Sequence, residues 1–417
     1  MKKIITLLFT IFILTGCTKP QPVKQVKEIE FWTLQLSGFS EYINGVIGRY
    51  EEQHPDVKIK WVDVPFSQGE KRALAAVLSK NVPDLINMNP DFGATLASKG
   101  ALIDIKNLIS RKEYDNYLEM SWQASSINGF VYGIPWYITS AVTFYNKGIL
   151  KKSGVKEIPE NYSGLGEIAG KIQKNTGKYV LMPTLTENGE MLRIFNKYGI
   201  PIVNETKDRA VFHTRQAEEI LSFWKNIYDK EFIPAESITQ AHRDALGKFQ
   251  SGEIAFIVAG ANFLNIIKQN SPQLYEKLGV AKQLKGSAGK ANFSLMNLVI
   301  PKKSKYPREA LEFALFLTNK ENQLEFCKLA PILPSEKHAL GSDYFTAEDT
   351  EDLTTKSRII SANQLKNPLK PIPALENRKD LYEIIDFMTQ EVMLGQKNPQ
   401  QALKKAEKEW NKIFREN

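Results

Sequence analysis

A proline followed by two aromatic residues, in Gly133-Ile134-Pro135-Trp136-Tyr137, is the part of this sequence best suited to grip a small molecule. Aromatic faces pack against C–H surfaces, while the tyrosine O–H and the indole N–H add hydrogen bonds. An apolar run from Ala141 to Tyr145 follows and ends in Asn146-Lys147. Together they imply a ligand cleft lined by an aromatic turn, beside a hinge made by the run. Groups suited to covalent chemistry are scattered by contrast. The four histidines, His54, His213, His242 and His338, stand far apart, and none belongs to an H-E-x-x-H or other ligand-spaced cluster. There is no Gly-x-Ser-x-Gly elbow. Gly164-Leu165-Gly166 with Gly170 has one residue too many for a dinucleotide fingerprint and follows no strand. Glycoside hydrolysis needs two carboxylates facing each other across a cleft. Scattered acids leave that alternative, a surface glycoside hydrolase, standing beside a binding protein.

The elements that must position the aromatic turn are legible in the hydrophobic pattern. Glu28 to Thr33 alternates as a strand. Ile43, Val46, Ile47 and Tyr50 fall at helical spacing and are stopped by His54-Pro55-Asp56. Val57 to Val64 is a second strand, a helix runs around Lys71 to Ser79, and Pro83 to Met88 is a short buried strand. Strand-helix-strand-helix-strand order implies a parallel sheet with helices on its faces. Open sheets of this kind bind ligands at the carboxyl ends of their strands, so the loops that matter begin at Trp32, Met88 and Pro135. Farther on, Thr214 caps an amphipathic helix that buries Trp224, and Leu295 to Pro301 is another strand.

Composition narrows the class further. With 42% hydrophobic and 24% charged residues the chain is an ordinary globular protein, and at 417 residues it exceeds what one core usually supports, so two lobes are expected. The formal charge of +8 falls to +6 without Lys2 and Lys3, and the lysines are spread rather than clustered with aromatics, which argues against a nucleic-acid surface. Met1-Lys2-Lys3, the apolar run Ile4 to Leu14 and then Leu14-Thr15-Gly16-Cys17 have the form of an export signal too short to span a bilayer permanently. The last four residues resemble the lipobox of bacterial lipoproteins, in which the cysteine becomes a lipidated N-terminus. Residues 1–16 are then signal peptide and 17–27 a lipidated tether. Cys327 is the only other cysteine, so no disulfide is expected.

Short segments along nearly the whole chain then add up to a resemblance. They are the strand E-I-E-F-W; Tyr50-Glu51-Glu52-Gln53-His54-Pro55-Asp56-Val57; Val82-Pro83-Asp84-Leu85-Ile86; Gly100-Ala101-Leu102; Tyr132-Gly133-Ile134-Pro135 with Phe144-Tyr145-Asn146-Lys147; Phe249-x-Ser251-Gly252-Glu253; Glu321-Asn322-Gln323; and Leu333-Pro334-Ser335. In order and spacing they resemble the extracellular solute-binding proteins of sugar-type ABC importers, the family that includes maltodextrin-binding protein. The resemblance implies an α/β fold of the two-lobed periplasmic-binding-protein type (type II). Each lobe is a β-sheet flanked by helices, and hinge strands join the two. Lobe one is expected at 28–144 and 283–320, and lobe two at 145–282 and 321–417.

The resemblance also implies a site. Trp32 ends strand one and Gln35 follows it, where the family places polar ligand contacts. Met88 takes a position often held by an aromatic, with Asn89 and Asp91 after it as hydroxyl partners. Trp136 and Tyr137 lie in the family's cleft loop. Thr139 occupies a position that carries a carboxylate in some maltodextrin binders, which argues against assuming that ligand. In lobe two Glu190 lies where the family offers a ring or a polar contact. Asn262 stands in place of a common tryptophan, with Phe263 beside it, and Asn292 follows the second crossing. The implied ligand is a mono- or oligosaccharide, with a polyamine or another small solute as the alternative. No cofactor or metal is implied. The implied partners are membrane permease subunits, with the chain a monomer held by Cys17 at the outer face of the cytoplasmic membrane.

Overall fold

The computed structural model describes residues 26–79, 81–346, 350–373, 375 and 377–416. The signal segment and the expected lipidation at Cys17 lie outside the described residues. Among the described residues there are eleven strands: β1 (Lys27–Leu34), β2 (Val57–Val64), β3 (Leu85–Met88), β4 (Ser126–Ile127), β5 (Phe130–Val131), β6 (Ile134–Thr139), β7 (Val142–Asn146), β8 (Phe256–Ala259), β9 (Leu278–Ala281), β10 (Ser294–Val299) and β11 (Leu333–Pro334).

Six of them make one sheet in the order β11-β6-β10-β3-β1-β2. The three parallel strands expected from the N-terminal pattern are there, with β1 paired to β2 from Lys27↔Val57 to Leu34↔Val64 and to β3 at Phe31↔Leu85. Strand β10 then enters antiparallel between β3 and β6. Alternation along β1 buries Ile29 and Phe31 against the helix Ser40–Gln53, whose Tyr42, Ile43, Val46, Ile47 and Tyr50 are buried in the same core. Asp84 locks the sheet to the segment after β10. Its carboxylate accepts from the Glu30 N–H (3.1 Å), the Ser304 hydroxyl (2.6 Å) and the Lys305 N–H (3.0 Å).

The second sheet has the order β8-β7-β9, all antiparallel. Its lobe is built mainly from helices. Those at Tyr162–Thr176, Glu190–Lys197, Arg215–Asp229 and Arg378–Met393 meet around Trp224, Phe195 and Ile385.

The chain changes sheets between Thr139, the end of β6, and Val142, the start of β7. The first crossing is therefore Ser140-Ala141, ahead of the boundary expected after 144, because Val142 to Tyr145 pair with Ala259 to Phe256 rather than with the large sheet. The boundary expected at 321 also moves. The helix Lys320–Leu329 and β11 belong with the large sheet: the Tyr42 hydroxyl donates to the Asn322 carbonyl (2.8 Å), the Phe326 ring stacks on Tyr42 (4.6 Å), and β11 pairs with β6.

Buried amides tie the crossings together. The Gln364 side-chain amide donates to the Ser140 hydroxyl (2.9 Å) and to the Ala141 carbonyl (2.9 Å). Its carbonyl oxygen accepts from the Gln283 N–H (2.7 Å), and Gln283 in turn accepts from the Asn292 N–H (2.9 Å). Such a network is costly to leave half satisfied, so it fixes where the two lobes join. Among the described residues no helix is long and apolar enough to cross a membrane.

Candidate functional site

A cavity of about 690 Å³ lies between the two lobes. The first lobe supplies Asn89, Asp91, Tyr137 and Thr139, the segment Asn292 to Met296 forms the wall at the second crossing, and the second lobe supplies Tyr162, Glu190, Arg193, Lys197, Trp224, His242 and Tyr382.

Strand alternation decides which half of the aromatic turn reaches it. Residues 134–139 are a strand, so successive side chains point to opposite faces. Tyr137 and Thr139 line the cavity, whereas Trp136 and Ile138 are fully buried on the other face. The Trp136 ring packs on Phe326 at 5.6 Å and on Phe31 at 6.2 Å, inside the core of the first lobe. The expectation that Trp136 contacts ligand is corrected on that ground.

Five further expectations are corrected. Met88 is buried beside Ile86 and Tyr132, because all four residues of β3 are covered on both faces. Trp32 donates its indole N–H to Glu30 (2.7 Å) beneath the Arg72 guanidinium, away from the cavity. Gln35 is an exposed turn residue at φ 56°, tied by its N–H to the Val64 carbonyl (2.9 Å). Asn262 begins the helix Phe263–Asn270 without reaching the cavity. Phe263 stands one layer behind the wall, its ring 5.2 Å from His242, which does line it.

Asn89, Asp91, Tyr137, Thr139, Glu190 and Asn292 do line the cavity. Asn89 also caps the helix Pro90–Ser98 by accepting from the Phe92 N–H (2.8 Å). Asp91 forms an ion pair with Arg378, and Glu190 forms one with Arg193 (2.6 Å). Both carboxylates thus face guanidinium groups. Burial raises the Asp91 carboxyl above its ordinary value, with Arg378 and Arg193 opposing the shift. Among the described residues no group of three or more His, Cys, Asp or Glu could hold a metal ion.

Sequence reasoning missed most of the second-lobe wall. Glu190, Arg193 and Lys197 are spaced i, i+3 and i+7, the spacing of one helical face, and all three line the cavity from the helix Glu190–Lys197. Charged residues at core spacing, directly after Gly189, were the signal available. Trp224, expected as core, is 1% exposed and serves as both core and cavity wall. It meets Tyr162 edge-on at 5.4 Å. Burial pushes the Lys197 ammonium down to about 8, opposed by nearby Glu190, and burial likewise lowers His242 below its ordinary value. Behind this wall Asp386 accepts from the Gly189 N–H (2.9 Å), and burial raises its carboxyl to about 6.

Aromatic residues thus stand on both walls of the cavity, interspersed with amides, hydroxyls and charged groups. Comparisons with known proteins agree with that architecture. Over 93% of its length the chain superposes on a crystal structure of a protein described as an oligosaccharide periplasmic-binding protein from Synechococcus sp. MITs9220, at 34% identity and a TM-score of 0.85, covering 98% of that chain. The GacH receptor of Streptomyces glaucescens shares the fold at a TM-score of 0.78, with 20% identity over 94% of this chain and 99% of that one. In sequence, the galactooligosaccharide-binding protein of Bacillus subtilis is 23% identical over 381 residues, 88% of this chain and 85% of the relative. The arabinooligosaccharide-binding protein of the same organism is 22% identical over 334 residues, 76% of each chain. Residues 35–324 match the model of the bacterial extracellular solute-binding proteins, and the chain belongs to that family.

Proposed function

We propose that this protein captures a mono- or oligosaccharide between its lobes and delivers it to the permease of an ABC importer, whose ATPase subunits are other chains. The observation that carries the reading is the cavity itself. At about 690 Å³ it falls within the size range of small-molecule sites, about 300–1,000 Å³. Tyr137 on one wall and Tyr162, Trp224 and Tyr382 on the other offer faces to sugar C–H surfaces, while Asn89, Thr139, Asn196 and Gln283 offer hydrogen bonds to hydroxyls. The saccharide ligands in the names of the Bacillus subtilis relatives support the same class.

A polyamine fits poorly. Asp91 and Glu190 are held by Arg378 and Arg193, while Arg193, Lys197 and Lys370 themselves line the cavity. A polycation entering there meets cations rather than free carboxylates.

Closure is the step that binding drives, because a ligand touching both walls favours the state in which both are within reach. Export and a lipid anchor at Cys17 complete the reading, with the monomer standing at the outer face of the cytoplasmic membrane. The basic start, the short apolar run and Leu14-Thr15-Gly16-Cys17 support it, and Cys17→Ser should release the protein from the membrane fraction.

Titration calorimetry tests the ligand class with a panel of mono- and oligosaccharides, alongside spermidine. One-to-one binding of a saccharide is the expected result. Binding of spermidine and of no saccharide would contradict it.

A further inference from the structure

Two donors on the second-lobe wall have bonds left to give. Lys197, 3% exposed, ends the helix Glu190–Lys197, and its ammonium donates to the Tyr162 hydroxyl oxygen (3.1 Å) and to the Leu284 carbonyl (3.0 Å). An ammonium carries three N–H donors, so one remains. Tyr162 accepts from Lys197 through its oxygen, and among the described residues its own O–H hydrogen has no acceptor. Both side chains line the cavity.

The charge at this place is also unbalanced. Among the described residues no carboxylate lies within ion-pair distance of Lys197, and Glu190, two turns back on the same helical face, is engaged by Arg193 at 2.6 Å. Across the cavity Asp91 is engaged by Arg378. The two carboxylates on the walls are thus engaged by the two guanidinium groups, and of the two lining lysines Lys197 is the buried one, with Glu190 near it but beyond ion-pair distance. Burial lowers its pKa to about 8 and nearby Glu190 opposes the shift, so an anion placed against the ammonium would favour its charged form further. A buried ammonium of this kind costs free energy that a bound anion would offset.

We infer that the cavity accepts a saccharide bearing a carboxylate, a uronate unit, whose two oxygens take the free Lys197 N–H and the Tyr162 O–H. This inference rests on the saccharide reading and narrows it. A neutral sugar hydroxyl satisfies the hydrogen bonds and leaves the ammonium uncompensated. A sulfate or phosphate ester supplies charge but brings more oxygens than the two donors serve, whereas a carboxylate matches both the charge and the count.

The experiment is a calorimetric comparison of matched sugars: galacturonate and trigalacturonate, their neutral galactose counterparts, and galactose 6-sulfate. Wild-type protein should bind at least one uronate about tenfold or more tighter than its neutral counterpart, the size of preference a single charge-assisted contact supplies. Lys197→Met should bring the ratio of the two affinities close to one, and Tyr162→Phe should reduce it in part. Melting curves monitored by circular dichroism establish that each variant is folded. If Lys197→Met does not fold, Tyr162→Phe, which removes a single O–H, decides. Neutral sugars bound as tightly as their uronates, or a preference unchanged in the folded variants, would overturn the inference and leave the saccharide reading intact. Tighter binding of the sulfate than of either uronate would overturn the carboxylate assignment. Binding of no saccharide at all would overturn both.

Discussion

Arg378, the first residue of a second-lobe helix, forms an ion pair with Asp91 of the first lobe, so a single contact joins the two walls of the cavity. The Arg378 guanidinium also lies 5.4 Å from the ring centre of Tyr382, itself on the cavity wall. The Asp91 side chain is 49% exposed, so water and salt weaken the pair, and about 1 kcal/mol is a fair measure of it. That is enough to bias closure.

Arg378→Ala should weaken ligand binding by about fivefold, because the ligand must then supply the closing energy that the pair contributed. The radius of gyration of the unliganded variant should exceed that of wild type in small-angle scattering. The difference in affinity should shrink at high ionic strength, where exposed pairs are screened.

Trp136→Ala should act on stability rather than on recognition. The ring is fully buried between Phe31 and Phe326, and truncation of such a residue costs about 3–5 kcal/mol. Urea denaturation measures this directly. An unchanged midpoint together with lost ligand binding would return Trp136 to the site.

Gly189→Ala tests how the Tyr382 wall is held. Gly189 sits at φ 68°, and an added Cβ would lie 2.8 Å from the Tyr382 ring. The left-handed backbone alone costs a non-glycine residue roughly 1–2 kcal/mol, and the ring must move as well. Both a lower melting temperature and weaker binding are expected.

Asp386 gives a pH signature. Its carboxyl is raised to about 6 in the folded chain from an ordinary value of 3.8, chiefly by burial. Stability linked to it is therefore fully present below pH 4 and is lost as pH rises through 6. Asp386→Asn, which retains an oxygen to accept from Gly189, should match wild type in acid and exceed it above pH 7. Allowing for solvent around a half-buried group, the gain is roughly 1–2 kcal/mol. Denaturation at pH 4 and pH 8 checks it.

The first lobe was more legible in the sequence than the site. Its strands announce themselves through local alternation in Glu28 to Thr33 and Val57 to Val64, and register in such a sheet follows from which face is buried. The passage from β6 to β7 was visible as an aromatic stretch running into an apolar one. Reading Gly133 to Tyr137 as a turn rather than as part of a strand, however, sent both Trp136 and Tyr137 toward the ligand when only one of two neighbours on a strand faces that way. The second-lobe wall depends on contacts between distant segments. Tyr162, Lys197, Trp224 and Tyr382 come from four helices, and only the spacing of Glu190, Arg193 and Lys197 carries a local trace of it. The boundary near 321 was missed for the same reason: nothing within Lys320–Leu329 states that Phe326 stacks on Tyr42.

The most direct measurement is a crystal structure of the chain with the saccharide that binds tightest in calorimetry. The expected result is a sugar seated between Tyr137 and Asn292 on one side and Tyr162 and Trp224 on the other, with Asp91 and Arg378 joined. A sugar seated elsewhere, for example in the smaller cavity of about 220 Å³ beside Leu329 and Tyr344, would contradict recognition between the lobes.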